Sequence, residues 1–304
     1  SVRNGYEPSA LFYCNGIGIA RAANGRTRMI NIAIIGAGIG REHLAALREL
    51  PSEFRVVAVV DQNLERIEEI RFGDTFAALT DISDVLTDPE IGVIDICLPP
   101  HLHVSVTLDA LNFGKHVICE KPLATSLADV DRIAAAAKQN GCHVFPVFQY
   151  RWGPSLAQLR HLMGAGLAGQ VQVASLETHW SRGYDYYSVP WRGTWSGERG
   201  GAILGHAIHN HDLLTHIAGD VAALSAMTAT RVNEIETEDC ASITFAMASG
   251  ALCTSSITLG AAGDETRLRF IFENLTATSG TAPYAPGAQP WTFTARFKDQ
   301  QHEI

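Results

Sequence analysis

Glu120-Lys121-Pro122 closes the strand-like run His116–Cys119, and it is the first place in this sequence where chemistry could be done. A lysine amine beside a reacting carbon–oxygen group can give or take a proton, and burial near positive charge makes it a better base. Proline fixes the backbone just past it. A second set of chemical side chains follows far downstream: His206, His209, His211, Asp212 and His216. His206 and His209 are i, i+3 neighbours on an expected helix, so both can meet one ligand. They read as substrate hydrogen-bonding groups. No metal is expected, because no further ligand is evident. Tyr184, Tyr186, Tyr187, Trp191, Arg192 and Trp195 lie in the loop before them. Aromatic faces suit a sugar or polyol, and equally suit loop packing or a subunit contact. The Arg192 guanidinium could grip a carboxylate or phosphate.

A third signal lies near the start. Gly36-Ala37-Gly38-Ile39-Gly40 separates an apolar run, Ile30–Ile35, from a helix-like stretch. Glycine permits the tight turn and lets backbone N–H groups approach a pyrophosphate at the helix N-terminus. The pattern is G-x-G-x-G, with Arg41 where a third glycine usually falls, so alone it is a weak motif. Asp61 ends the next strand-like run, where an acid receives the ribose hydroxyls and disfavours a 2′-phosphate. Asp61 could instead be a turn or N-cap residue. Together these signals predict NAD binding. NADP is less favoured, although Arg66 is near enough to serve a phosphate.

These residues need elements to position them. Strand-like runs at 30–35, 54–60, 92–98, 116–119 and 143–148 alternate with helical stretches at 41–50, 64–72, 82–86, 104–113 and 127–140. Gly114 and Gly141 stand at helix ends. Such alternation predicts a doubly wound parallel sheet, a Rossmann domain over 29–150, with ligands at the carboxyl ends of the strands. The pattern changes after Arg151. A helix near 154–163, a strand at 171–179, a helix at 202–217 and strand-like runs at 223–232, 239–248, 251–260 and 265–274 predict an α+β domain over 151–304. Its sheet should be open and largely antiparallel, and its alternating pattern suggests a sheet-to-sheet subunit interface. Residues 1–28 lack an apolar core and precede Met29, so they are expected to be a disordered or non-native extension.

Composition narrows the class. The chain has 304 residues, 46% hydrophobic and 18% charged, which suits two globular domains. Its formal charge of -9 disfavours nucleic acid and anionic lipid as partners. No apolar run is long enough to span a bilayer. Six cysteines occur without a C-x-x-C pair, and they read as reduced thiols in a cytoplasmic protein.

Gly36-Ala37-Gly38, Leu98-Pro99-Pro100-His101-Leu102-His103 and above all Gly114-Lys115-His116-Val117-Ile118-Cys119-Glu120-Lys121-Pro122-Leu123-Ala124 resemble one known family. It comprises the glucose–fructose oxidoreductases, inositol dehydrogenases and rhizopine-catabolism oxidoreductases (Gfo/Idh/MocA). The resemblance runs from residue 29 to about 275 and includes Gly200-Gly201 and the histidines beyond. It implies an NAD-dependent enzyme moving a hydride at a secondary alcohol or ketone of a sugar, inositol or related polyol. Lys121 would be the catalytic lysine and His209 the catalytic histidine. Glu120 would line the nicotinamide end, with Pro99 and His103 near the cofactor. Tyr150, Arg151 and Trp152 match a segment that often reaches substrate. The family's usual aspartate is replaced by Gly205, so His206 or Asp212 substitutes for it, or Lys121 and His209 work alone. The family also implies homodimers or homotetramers, and a chain that usually continues past Trp291, so this one could be truncated. A non-catalytic NAD-binding sensor and an NAD-dependent glycosidase are the alternatives.

Overall fold

The computed structural model describes residues 29–304. The expected extension at 1–28 and Cys14 lie outside the described residues. The chain divides into two compact units, with the boundary between Val147 and Phe148.

The first unit runs β1 (Ile30–Ile35), α1 (Ala37–Arg48), β2 (Phe54–Val60), α2 (Leu64–Arg71), β3 (Ala77–Leu79), α3 (Ser83–Leu86), β4 (Val93–Ile96), α4 (Pro100–Asn112), β5 (His116–Cys119), α5 (Leu127–Asn140) and β6 (Val144–Pro146). All neighbours pair in parallel, in the order β3-β2-β1-β4-β5-β6. Strand order reverses between β1 and β4, which makes that crevice the expected ligand position. Alternation along β1 builds both faces. Ile32 and Ile34 join Leu44, Leu47, Ile67 and Ile70 under α1 and α2. Ala33 and Ile35 join Val106, Ala110, Leu111 and Ile133 under α4 and α5. A sheet buried on both sides must read as apolar runs, as this one does.

Three details differ from the sequence expectation. β3 is an extra three-residue edge strand, too short to leave a pattern. α4 begins at Pro100, because proline is tolerated in the first turn, so His103 is helical and not in a loop. Asn63, not Asp61, caps α2, by accepting from the N–H groups of Glu65 and Arg66.

The second unit contains α6 (Pro154–Gly164), β7 (Val171–Ser181), α7 (Tyr184–Tyr187), a π-helical turn (Ile203–Ala207), α8 (Ile208–Ala218), β8 (Val221–Ala229), β9 (Cys240–Met247), β10 (Leu252–Thr258), β11 (Gly260–Phe272), β12 (Leu275–Thr278) and β13 (Thr292–Ala295). Its sheet order is β13-β12-β11-β7-β10-β9-β8. Only β7–β10 pair in parallel. One sheet face is buried by α6 and α8, through Leu156, Leu159, Leu213 and Leu214 against Leu176, Phe245 and Phe270. No helix is long and apolar enough to cross a membrane among the described residues.

Candidate functional site in two half-sites

The glycine turn is built for a close approach of backbone. Gly36 adopts φ +101°, and a Cβ there would strike the Cys97 carbonyl. A Cβ at Gly40 would sit 2.8 Å from Ile34 Cγ2. Gly38 faces open space, and both it and Ile39 are exposed at the first turn of α1. This exposed helix start fits a pyrophosphate, which backbone N–H groups receive at such a position. Asp61 braces the turn by accepting from the Ala37 N–H at 2.8 Å and the Asn63 N–H at 2.9 Å. Each carboxylate oxygen has further acceptor capacity for ribose hydroxyls. Arg66 lies 3.7 Å from that carboxylate.

Glu120 and Lys121 follow β5 at its carboxyl end. Glu120 Oε2 accepts from the Lys121 backbone N–H at 3.0 Å, and the Lys121–Pro122 bond is cis. Glu120 Oε1 receives His43 Nε2 at 3.1 Å. The other nitrogen, His43 Nδ1, lies 3.0 and 2.9 Å from the two oxygens of Asp95. His43 and Asp95 are buried. Burial pulls the imidazole pKa down, but Asp95 and Cys97 outweigh it and hold His43 well above its ordinary value. Burial, helped by Asp95, pushes the Cys97 thiol up to about 12, so it stays neutral. Ligand-type atoms of His43, Asp95 and Cys97 lie within 4.8 Å of one another. Each ring nitrogen already faces a carboxylate, so the arrangement is an ion triad.

His103 is fully buried. Its Nδ1 lies 2.7 Å from the Pro122 carbonyl and its Nε2 2.7 Å from the Leu98 carbonyl. Both nitrogens are therefore spent on backbone. The residue ties the proline loop to the lysine turn. Pro99 N-caps α4 beside it.

In the second unit the chain enters α8 through the π-helical turn, which displaces His206 and His209 from regular α spacing. Glu238 holds the start of this segment, accepting from the Gly201 N–H at 3.1 Å and the Ile203 N–H at 3.1 Å. The paired glycines are explained by contact: a Cβ on Gly201 would collide with the Glu238 backbone, and one on Gly200 would lie 2.8 Å from Leu204. His209 is buried against rings, stacked on Tyr150 at 4.8 Å and edge-on to Phe148 at 6.1 Å. His206 Nε2 lies 3.3 Å from the Tyr186 hydroxyl. A Cβ at Gly205 would meet nothing within 4 Å.

Several expected substrate residues turn out to be supports. Tyr150 is fully buried, and its hydroxyl bonds the Pro283 carbonyl and lies 3.3 Å from Thr266 Oγ1. It carries His209 and leaves no hydroxyl for a sugar. Arg151 forms a two-pronged pair with Asp212, at 2.7 and 2.5 Å. That pair engages both carboxylate oxygens of Asp212. His211 donates or accepts at Ser255 Oγ, 3.0 Å away, and burial lowers its pKa to about 4. The aromatic loop does gather around Tyr186. Arg192 sits 3.8 Å from the Tyr186 ring centre and 4.5 Å from that of Trp191, and Arg182 lies 5.3 Å from Tyr186. Burial pushes the Tyr186 phenol up to about 12, so it remains a hydroxyl donor at neutral pH.

Residues 30–148 match a family model described as "Oxidoreductase family, NAD-binding Rossmann fold", and 156–278 match the GFO/IDH/MocA C-terminal domain. The chain belongs to the Gfo/Idh/MocA oxidoreductase family. Its first unit is an NAD-binding Rossmann domain. The chain is 28% identical over 217 residues to levoglucosan dehydrogenase of Pseudarthrobacter phenanthrenivorans, a match covering 67% of this chain and 55% of that protein. It is 32% identical over 165 residues to inositol 2-dehydrogenase of Salmonella typhimurium, covering 53% and 48%. These matches span about half the length of those relatives. The WlbA dehydrogenase of Bordetella pertussis, solved with NADH and UDP-GlcNAcA, superposes with a TM-score of 0.81 at 26% identity, over 91% of this chain and 82% of that one.

Sequence reasoning in this Gfo/Idh/MocA chain missed His43, Asp95 and the ion pair in which Arg182 Nη1 lies 2.9 Å from Asp264 Oδ2. A signal for Asp95 existed: a lone acid inside the buried run Val93–Ile96 requires a partner. His43 sat on the apolar side of α1 beside Leu44 and Leu47, which marks it as buried without naming its partner.

Proposed function

We propose that the protein is an NAD-dependent dehydrogenase acting on a secondary alcohol or ketone of a sugar, inositol or related polyol. One observation carries the reading: Lys121 stands at the carboxyl end of β5, one strand from the β1/β4 switch point, in an NAD-binding Rossmann domain. Gly36, Gly38, Ile39 and Gly40 would hold the pyrophosphate, Asp61 the adenine ribose, and Pro99 and Glu120 would flank the nicotinamide end. NAD, when bound, supplies the hydride acceptor. Lys121 takes the hydroxyl proton on oxidation and returns it on reduction. His209, stacked on Tyr150, is the second catalytic residue of this reading. His206 with Tyr186, and Trp191 with Arg192, would bind the remaining hydroxyls. Residues 151–304 are the substrate domain in this reading. Relatives named for levoglucosan and inositol support the substrate class.

The sheet face opposite α6 and α8 carries Val173, Met227, Leu252, Thr254, Arg267 and Arg269 exposed. We assign it to a homodimer or homotetramer contact, in a cytoplasmic enzyme. The test is a panel of inositols, anhydrosugars and nucleotide-linked sugars mixed with purified protein and NAD. Steady reduction of NAD by at least one member is expected. Tight NAD binding without reduction across the panel would favour a sensor. Product formation without net cofactor consumption would favour a glycosidase.

A further inference from the structure

Arg151, Arg182 and Arg192 all stand beside a carboxylate, and they use their donors differently. Arg151 puts two nitrogens on Asp212. Arg182 spends Nη1 on the Ser181 carbonyl and both oxygens of Asp264, and Nη2 on the Tyr284 hydroxyl. Arg192 is the exception. Among the described residues its guanidinium makes no hydrogen bond, and Glu198 Oε1 lies 3.6 Å away, beyond bonding distance. It is held by rings instead, 3.8 Å from the centre of Tyr186 and 4.5 Å from that of Trp191. Stacking uses the flat face of a guanidinium and none of its five N–H donors. The side chain is 27% exposed, so those donors are reachable from outside.

The loop that carries Arg192 is preset. The Arg192 N–H donates to the Val189 carbonyl at 3.0 Å, the Thr194 hydroxyl to the Trp191 carbonyl at 2.8 Å, and the Gly197 N–H to Thr194 Oγ1 at 3.1 Å. A Cβ on Gly197 would collide with the Trp191 backbone, so glycine lets the loop fold back on itself. Tyr186 ties this loop to the histidine segment: Arg192 lies over its ring, and its hydroxyl lies 3.3 Å from His206 Nε2. A planar donor fork fixed beside the substrate residues matches a carboxylate, which takes two parallel bonds. A phosphate dianion fits less well, because Asp264 already matches Arg182 and Glu198 stands near Arg192.

We propose that Arg192 binds a carboxylate of the substrate, so that the second unit selects a sugar acid of the uronate type over its neutral counterpart. The proposal rests on the dehydrogenase reading above and narrows its substrate class. Where that reading gave Arg192 a hydroxyl, an acid takes its place.

The experiment compares NAD reduction by pairs that differ only as alcohol and acid at one carbon: D-glucose and D-glucuronate, D-galactose and D-galacturonate, UDP-glucose and UDP-glucuronate, with glucose 6-phosphate alongside. The acid of at least one pair is expected to exceed its neutral partner in kcat/KM by roughly tenfold or more. Arg192→Met should erase that preference, chiefly by raising KM for the acid. Arg192→Lys keeps the charge and loses the fork, so it should fall between the two, and it decides the question by the same ratio if Arg192→Met fails to fold. Preference for a neutral sugar or for the phosphate over every acid overturns the proposal, as does an equal loss on both members of a pair. Calorimetric titration of the same pairs into NADH-loaded protein tests the fork without turnover. Tighter binding of an acid than of its neutral partner, lost in Arg192→Met, upholds the carboxylate site even if no member reduces NAD, a result that would reject the dehydrogenase reading alone. Absence of any acid preference in both assays overturns the proposal.

Discussion

In the first unit the acid beside Lys121 is gripped by an imidazole on one oxygen and a backbone N–H on the other. In the second, His209 is gripped by ring faces, stacked on Tyr150 and edged by Phe148. One half-site is held by charge and strand ends, the other by packing around a π-helical turn. The first kind of support tolerates little: a buried charge that loses its partner keeps its desolvation cost. The second degrades by degrees, because ring contacts are individually worth about 1 kcal/mol. The difference suits the two tasks. A cofactor shared by many enzymes needs one fixed cradle, whereas a substrate site must be able to change.

The largest contrast should come from the glycine turn. Gly36→Ala forces a Cβ into the Cys97 carbonyl at φ +101°, and is expected to abolish measurable NAD binding and to cost on the order of 3 kcal/mol of stability. Gly38→Ala faces open space, so it should leave the melting temperature unchanged while weakening NAD binding. Equal effects of the two would erase the distinction between cradle and contact.

Acid should strike the second unit through His211. Its pKa is lowered from 6.5 to about 4 by burial, so the unfolded chain takes up a proton that the folded one refuses. Stability from this group is complete above pH 6.5 and falls as pH drops toward 4, by at most about 3 kcal/mol. Chemical denaturation of wild type and His211→Gln across that window should show the variant with the flatter profile.

His209→Asn keeps a hydrogen-bonding side chain but loses the stacked ring. It should reduce kcat by about 100-fold with NAD affinity unaltered, as steady-state kinetics on the active substrate would record. Asp212→Asn should be the mildest. It weakens a partly buried pair with Arg151, costing about 1 kcal/mol in thermal unfolding, and changes kcat by less than about threefold. A loss comparable to His209→Asn would return Asp212 to the proton relay.

Much of the first unit was legible because strands buried on both faces must read as apolar runs, and their ends are marked by Gly36, Asp61 and Glu120. β3 was invisible because three residues carry no period. The helical setting of His103 was not legible, because proline at the start of α4 looks the same in sequence as proline in a loop. In the second unit the strands between 221 and 272 were legible from alternation and turn residues. The supporting roles of Tyr150, Arg151 and Asp212 were not, since nothing in a sequence says that Asp212 lies beside Arg151 or that the Tyr150 hydroxyl is spent on Pro283. The short strand β12 also escaped, whereas the strand expected near Trp291 is β13.

Isothermal titration of NAD⁺ into Lys121→Ala, paired with a single-turnover assay on the best substrate of the panel, bears hardest on the whole account. Binding should match wild type within about twofold, while hydride transfer slows by at least roughly 100-fold. Hydride transfer at the wild-type rate in that variant would contradict the assignment of Lys121 as the proton carrier.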